Sequence, residues 1–127
     1  MILPCLYIDG TSAMGRGVFT SEDLHENTII ETSPVIVMEA KDRELLDQTP
    51  MHDYIFEWGG DKHQVCVALG YLSIYNHSYI SNCEYEMDYE TQTMSIKTVR
   101  FIKAGEELFI NYNGVWNDSK KLWFDAR

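Results

Sequence analysis

The apolar residues of this chain arrive in runs too short for long helices. Leu6-Tyr7-Ile8, Val18-Phe19-Thr20, Val35-Ile36-Val37-Met38, Tyr54-Ile55-Phe56-Glu57-Trp58 and Gln64-Val65-Cys66-Val67-Ala68 are all bounded by turn-forming residues. Turn signals recur roughly every eight to fifteen residues, a spacing that predicts many short strands. A chain of 127 residues, 45% of them hydrophobic, can bury its own core and is expected to be one domain.

Read in order, Asp9 to Gly17 is a loop rich in glycine, with strands on either side. Thr28-Ile29-Ile30-Glu31 and Val35 to Met38 read as two strands separated by Pro34, the second buried. Lys41 to Asp47 predicts two turns of a solvated helix. Tyr54 to Trp58 and Gln64 to Ala68 predict a hairpin turned at Gly59-Gly60. Leu69 to Tyr75 reads as a short helix delivering Asn76-His77-Ser78. From Cys83 to Glu90, Glu84, Glu86, Asp88 and Glu90 share one face of a strand, and Tyr85, Met87 and Tyr89 share the other. Met94 to Phe101 is the returning strand. Leu108 to Tyr112 is the last, with Leu108, Ile110 and Tyr112 on one face.

Charge and cysteine usage narrow the partners. Ten basic against twenty acidic residues leave a formal charge of −10. Such a surface repels nucleic acid and anionic membrane and attracts cations, so a basic peptide is the natural partner. Cys5, Cys66 and Cys83 are an odd, scattered set, which argues against a disulfide framework and against zinc. They read as free thiols of an intracellular protein. No apolar run reaches the ~18 residues of a spanning helix, and Met1-Ile2-Leu3-Pro4 lacks the basic region of a signal peptide.

Three motifs carry chemistry. Gly15-Arg16-Gly17 lets a ligand approach the backbone, although alone it reads first as a hairpin loop. It is not a dinucleotide fingerprint, because the third glycine and the following helix are missing. Asn76-His77-Ser78 sets hydrogen-bonding side chains directly after an apolar run, and alone it reads equally as a buried, satisfied polar turn. Gly105-Glu106-Glu107-Leu108 with Tyr112 closes the set.

In this order the three motifs resemble the SET-domain protein lysine methyltransferases. Gly15-Arg16-Gly17-Val18-Phe19 with Ile29 and Glu31 is similar to the family's opening motif. Ile74-Tyr75-Asn76-His77-Ser78-x-x-x-Asn82 is similar to its central motif, and Gly105-Glu106-Glu107-Leu108-x-x-x-Tyr112 to its closing one. The resemblance runs from about Leu6 to Trp116 and is to a minimal, stand-alone SET domain, like short viral and bacterial ones, with an aromatic tail over 117–127. It implies a mainly β fold of small antiparallel sheets with short helices and a C-terminal pseudoknot. It also implies S-adenosylmethionine as cofactor, S-adenosylhomocysteine as product, and a lysine peptide on the far side of a narrow channel.

Carried over by position, the backbone of Gly15, Arg16 and Gly17 would meet the methionine part of the cofactor. Asn76 and the backbone of His77 would meet its amino group and adenine, and Tyr112 would stand beside the transferred methyl. Tyr85 and Tyr54 match channel tyrosines. Trp116, or Trp123 with Phe124, would cover the adenine or close the channel. The sequence departs from the family at Tyr79 and Ser81, where Cys and Pro are common, and at Asn111, where Asp is common. The cysteine-rich zinc segments of many relatives are missing.

The expected activity is therefore methylation of a lysine in a histone tail or similar basic segment, with no metal. Binding of nucleic acid or membrane is not expected, and the aromatic tail is compatible with a homodimer. A eukaryotic or viral source would place the protein in the nucleus or at chromatin, any other in the cytoplasm. The alternative is a catalytically silent SET-like module that binds a basic peptide or protein. A Ser/His hydrolase is excluded by the lack of a G-x-S-x-G elbow.

Overall fold

The computed structural model describes residues 1–60 and 63–119. Strand β1, Leu6–Gly10, pairs antiparallel with β2, Arg16–Thr20, in register from Leu6↔Thr20 to Gly10↔Arg16. The loop between them closes by Thr11 N–H donating to the Gly15 carbonyl at 2.6 Å, with Gly15 at φ +69°. Glycine adopts that left-handed conformation with no side chain to clash. The glycine loop of the sequence is therefore shorter than expected, and Arg16 and Gly17 already belong to a strand.

The ten-residue strand β3, Ile29–Met38, is the spine of a five-stranded sheet. The sequence reading made two strands of it, because proline cannot donate to a ladder. The structure makes it one, since Pro34 falls where pairing changes sides. Its first half pairs with a later strand as far as Pro34↔Thr93, and its second half pairs with another from Val35↔Ala68. The missing N–H sits at that switch. The second half is only partly buried: Val35 is inside, whereas Ile36 is exposed.

Helix α1, Ala40–Leu46, buries no residue, in keeping with a solvated insertion, and a 3₁₀ turn follows at Pro50–Asp53. Strands β4, Ile55–Trp58, and β5, Gln64–Ala68, form the expected hairpin. No helix spans Leu69 to Tyr75. Gly70 takes φ +65°, the Ser73 hydroxyl bonds the Ala68 carbonyl, and the Tyr71 N–H is donated to the Glu31 carboxylate. These side-chain and backbone bonds replace helical ones, and the segment runs as successive turns.

Asn76–His77 is a two-residue strand, β6, followed by β7, Cys83–Asp88, β8, Thr93–Thr98, and β9, Glu107–Ile110. The sheet orders are β1-β2-β9-β6 and β4-β5-β3-β8-β7. Alternation decides the faces: Met94, Ile96 and Thr98 of β8 are buried, as are Leu108 and Ile110 of β9. Met94, Ile96, Leu108 and Ile110 pack with Val18, Ile30, Leu72 and Tyr75 in one core. Each such aliphatic side chain contributes about 1.5–3 kcal/mol by burial. The three cysteines are free and buried, and burial pushes the Cys66 and Cys83 thiols up to about 12. Thiols so placed stay protonated and inert.

Candidate active site

Asn76 and His77 owe their position to β9. β6 pairs with it in parallel, Asn76↔Phe109 and His77↔Ile110, and the Ser78 N–H donates to the Ile110 carbonyl at 3.0 Å. Asn82 then grips the same strand with both ends of its amide. Its Nδ2 donates to the Glu107 carbonyl at 2.9 Å, and its Oδ1 accepts from the Phe109 N–H at 2.7 Å. The segment after β9 is stitched to residues 78–82 in turn. Asn111 Nδ2 donates to the Tyr79 carbonyl, and the Ser81 N–H donates to the Trp116 carbonyl at 2.9 Å. The asparagine-histidine motif and the closing motif thus hold each other.

Tyr112 does not end the last strand, as its spacing from Leu108 and Ile110 suggested. β9 stops at Ile110. Asn111 bends the chain by accepting the Asn113 N–H on its own side chain at 3.0 Å, an Asx turn. Tyr112 is then held at three points. Its N–H donates to His77 Nδ1 at 3.0 Å, its carbonyl accepts the Tyr85 hydroxyl at 3.2 Å, and its own hydroxyl donates to the Tyr75 carbonyl at 2.7 Å. Phe56 stands edge-on to both Tyr85 and Tyr112, with ring centroids 5.3 and 6.3 Å apart. Burial raises both phenols above their ordinary values. At Tyr112 the charge of the nearby Asp53 carboxylate adds to that shift. Tyr54 itself is 43% exposed, a rim residue rather than a wall.

His77 is 7% exposed. Because Nδ1 accepts from Tyr112, the proton of the neutral ring is assigned to Nε2. That atom is buried with no partner among the described residues. Burial lowers the His77 pKa, so the ring stays neutral. Asn76 Nδ2 donates to the Arg16 carbonyl at 3.1 Å and to Glu107 Oε2 at 2.8 Å, and Oδ1 takes no hydrogen bond among the described residues.

Tyr75 connects this site to a buried carboxylate. Its hydroxyl donates to Glu31 Oε1 at 3.0 Å, while Oε2 accepts from Ser33 Oγ and the Tyr71 N–H, both at 2.8 Å. Glu31 is wholly buried, and burial raises its pKa. Three donors offset part of the cost of sheltering that group.

The structure therefore gathers Gly17, Asn76, His77, Tyr85 and Tyr112, with the Arg16 carbonyl beside Asn76. Gly15 lies one step away in the loop. Trp116, 37% exposed, is tied in through its carbonyl. Trp123 and Phe124 lie outside the described residues. Phe56, Tyr75 and Glu107 were missed as parts of the site. Glu107 and Tyr75 stood inside recognised motifs, but nothing local in the sequence pointed to Phe56.

Fold and site together define a protein of small sheets in which an asparagine-histidine pair is locked to a closing tyrosine. A family model described as SET domain matches residues 15–113, and the chain belongs to the SET-domain family. The histone-lysine N-methyltransferase, H3 lysine-37 specific, of Schizosaccharomyces pombe is 34% identical over 121 residues, covering 94% of this chain and 77% of that protein. A solved Plasmodium falciparum protein is 28% identical with a TM-score of 0.67, covering 87% of this chain and 99% of that one. The ctPRC2 complex, solved bound to S-adenosylmethionine, matches with a TM-score of 0.73 at 19% identity over 87% of this chain and 15% of that one. At that identity the likeness is one of fold alone.

Proposed function

We propose that this chain transfers methyl groups from S-adenosylmethionine to a lysine in a basic, histone-like protein segment. Tyr112 acts beside the reacting amine, and Tyr85 and Tyr54 line its approach. Gly15, Arg16, Gly17, Asn76, His77 and Trp116 hold the cofactor. The observation that carries the reading is the three-point anchoring of Tyr112 against the Asn76–His77 strand.

The residues fit that cofactor. Asn76 Oδ1 is an acceptor and His77 Nε2 a buried donor, each without a protein partner among the described residues. A ligand carrying both an ammonium and acceptor atoms complements such a pair. When bound, S-adenosylmethionine supplies an electrophilic methyl whose carbon–sulfur bond breaks toward sulfur as the amine nitrogen attacks.

The protein's own part is orientation and exclusion of water. The Tyr112 hydroxyl hydrogen is committed to the Tyr75 carbonyl, so toward the amine and polarised methyl C–H groups the hydroxyl can act only as an acceptor. Its raised pKa keeps it a neutral phenol rather than a base. The amine must therefore lose its proton toward water. Lysine's ordinary pKa is about 10.4, and a dry aromatic approach lowers it. The edges and faces of Phe56, Tyr85 and Tyr112 supply those walls and tolerate a cationic product by cation–π attraction. Alignment of amine with methyl then supplies most of the acceleration.

The partner reading rests on charge. A protein of net charge −10 attracts a lysine- and arginine-rich segment, and the Schizosaccharomyces pombe relative is named for a histone lysine. Action on histones would place the protein at chromatin. The test is labelled S-adenosylmethionine with a panel of histone tails and lysate proteins, the modified lysine being located by mass spectrometry. Transfer to a histone lysine is expected. Cofactor binding without transfer to any protein would overturn the enzymatic reading and leave a silent peptide-binding module.

A further inference from the structure

The Glu107 carboxylate has a place in the closing motif but no assigned role. Its Oε2 accepts from Asn76 Nδ2 at 2.8 Å, and the same nitrogen donates to the Arg16 carbonyl at 3.1 Å. Both amide protons of Asn76 are therefore spent on protein acceptors. An asparagine amide can turn over and exchange its nitrogen for its oxygen. Here the turned amide would set Oδ1 against a carbonyl and a carboxylate with no proton between them. Glu107 thus forbids one of the two orientations, and Oδ1 is held away from both acceptors.

Gly17 makes this arrangement possible. A Cβ there would overlap Glu107 Oε2, and would stand 2.9 Å from Glu107 Cδ and 3.0 Å from Asn76 Nδ2. The backbone at Gly17 is not in the left-handed region, unlike Gly15. A Cβ at 17 would push the Glu107 carboxylate away from Asn76, whereas at 15 it is the left-handed backbone that favours glycine. The two glycines of one short motif therefore serve different ends.

We propose that Glu107 is a positioning residue that fixes the Asn76 amide, with Gly17 keeping the space open, so that Oδ1 is presented to the ammonium of the cofactor's amino-acid end. This rests on the cofactor assignment above. It makes the site selective for ligands that bring a hydrogen-bond donor to that point. A ligand without the amino-acid end is indifferent to which way the amide faces.

Calorimetry with two ligands tests it. S-adenosylhomocysteine carries the ammonium, and 5′-methylthioadenosine keeps the nucleoside but lacks the amino-acid end. Glu107→Ala should weaken the first at least about tenfold and leave the second unchanged, because only the oriented acceptor is lost. Glu107→Gln should stay within about threefold of the parent for both, since its side-chain oxygen still accepts from Asn76 Nδ2. Gly17→Ala should follow Glu107→Ala. Thermal melts of all variants confirm that each is folded.

Equal weakening of both ligands by Glu107→Ala would reduce Glu107 to a structural residue and overturn the proposal. Parental affinity in Glu107→Ala would overturn it too. Loss in Glu107→Gln as large as in Glu107→Ala would mean that the charge meets the ligand directly, again refuting positioning. A parent that binds no S-adenosylhomocysteine would sink the cofactor assignment and this inference together. Failures confined to the variants leave that assignment standing.

Discussion

Replacing Tyr112 by Phe removes one oxygen and little else. The N–H to His77 Nδ1 and the carbonyl to the Tyr85 hydroxyl are backbone anchors and survive, as does the ring contact with Phe56. What is lost is the 2.7 Å hydrogen bond to the Tyr75 carbonyl. Its net worth to the fold is about 1 kcal/mol, a fall in Tm of roughly 3–5 °C for a chain of this size. The loss to catalysis should be larger. A preorganised polar contact made mainly in the transition state is worth about 3 kcal/mol, or roughly a hundredfold in rate. Single-turnover methylation should therefore fall about a hundredfold. Affinity for S-adenosylhomocysteine by calorimetry should hold within about twofold, because the proposed role puts the hydroxyl where the methyl moves rather than where the cofactor is gripped. Transfer at the parental rate would refute the assignment and leave Tyr112 as packing. A collapse of cofactor affinity matching the collapse in rate would show that the hydroxyl holds the fold of the site instead.

Three other outcomes are expected. Tyr85→Phe frees the Tyr112 carbonyl and opens room beside the amine, and mass spectrometry should show products carrying more methyl groups than the parent's. The His77 pKa lies below its ordinary value of 6.5 because burial disfavours the imidazolium, so the unfolded chain takes up this proton first as pH falls. Stability from the neutral ring is complete above about 6.5 and is lost as pH drops below it. Thermal melts of the parent should show that slope, and His77→Asn, whose oxygen can still accept the Tyr112 N–H, should lack it. Affinity for a basic histone peptide should fall several-fold between about 0.05 and 0.5 M salt, since β7 is the edge strand of its sheet and turns Glu84, Glu86 and Asp88 to one side. An affinity insensitive to salt would remove electrostatics from substrate capture.

Sequence alone was enough for the short strands, the Tyr54–Ala68 hairpin region and the solvated helix, because period-two alternation and turn residues are local properties of the chain. It was enough as well for the family, because Gly15-Arg16-Gly17, Asn76-His77-Ser78 and Gly105-Glu106-Glu107-Leu108 stand in order. Local pattern failed where a distant group supplied the bonding. Leu69 to Tyr75 has the composition of a helix, yet its Tyr71 N–H goes to Glu31, forty residues away. Pro34 breaks a strand by rule, but here the pairing partner changes at that residue. The spacing of Leu108, Ile110 and Tyr112 implied a shared face, while the Asn111 side chain turned the chain before Tyr112 was reached.

The chemistry of the site was settled in the same way, between segments rather than within them. Residue types showed which groups were present: a histidine, an asparagine, several tyrosines. Only the packed chain determined that His77 accepts through Nδ1, that the Tyr112 hydroxyl is aimed at Tyr75, and that Asn76 spends its Nδ2 on Arg16 and Glu107. A hydrogen bond has a direction and a partner, and both are set by where another strand lies. The 2.8 Å contact between residues 76 and 107 exists because β6 and β9 are neighbours in a sheet, and no periodicity along the chain encodes it.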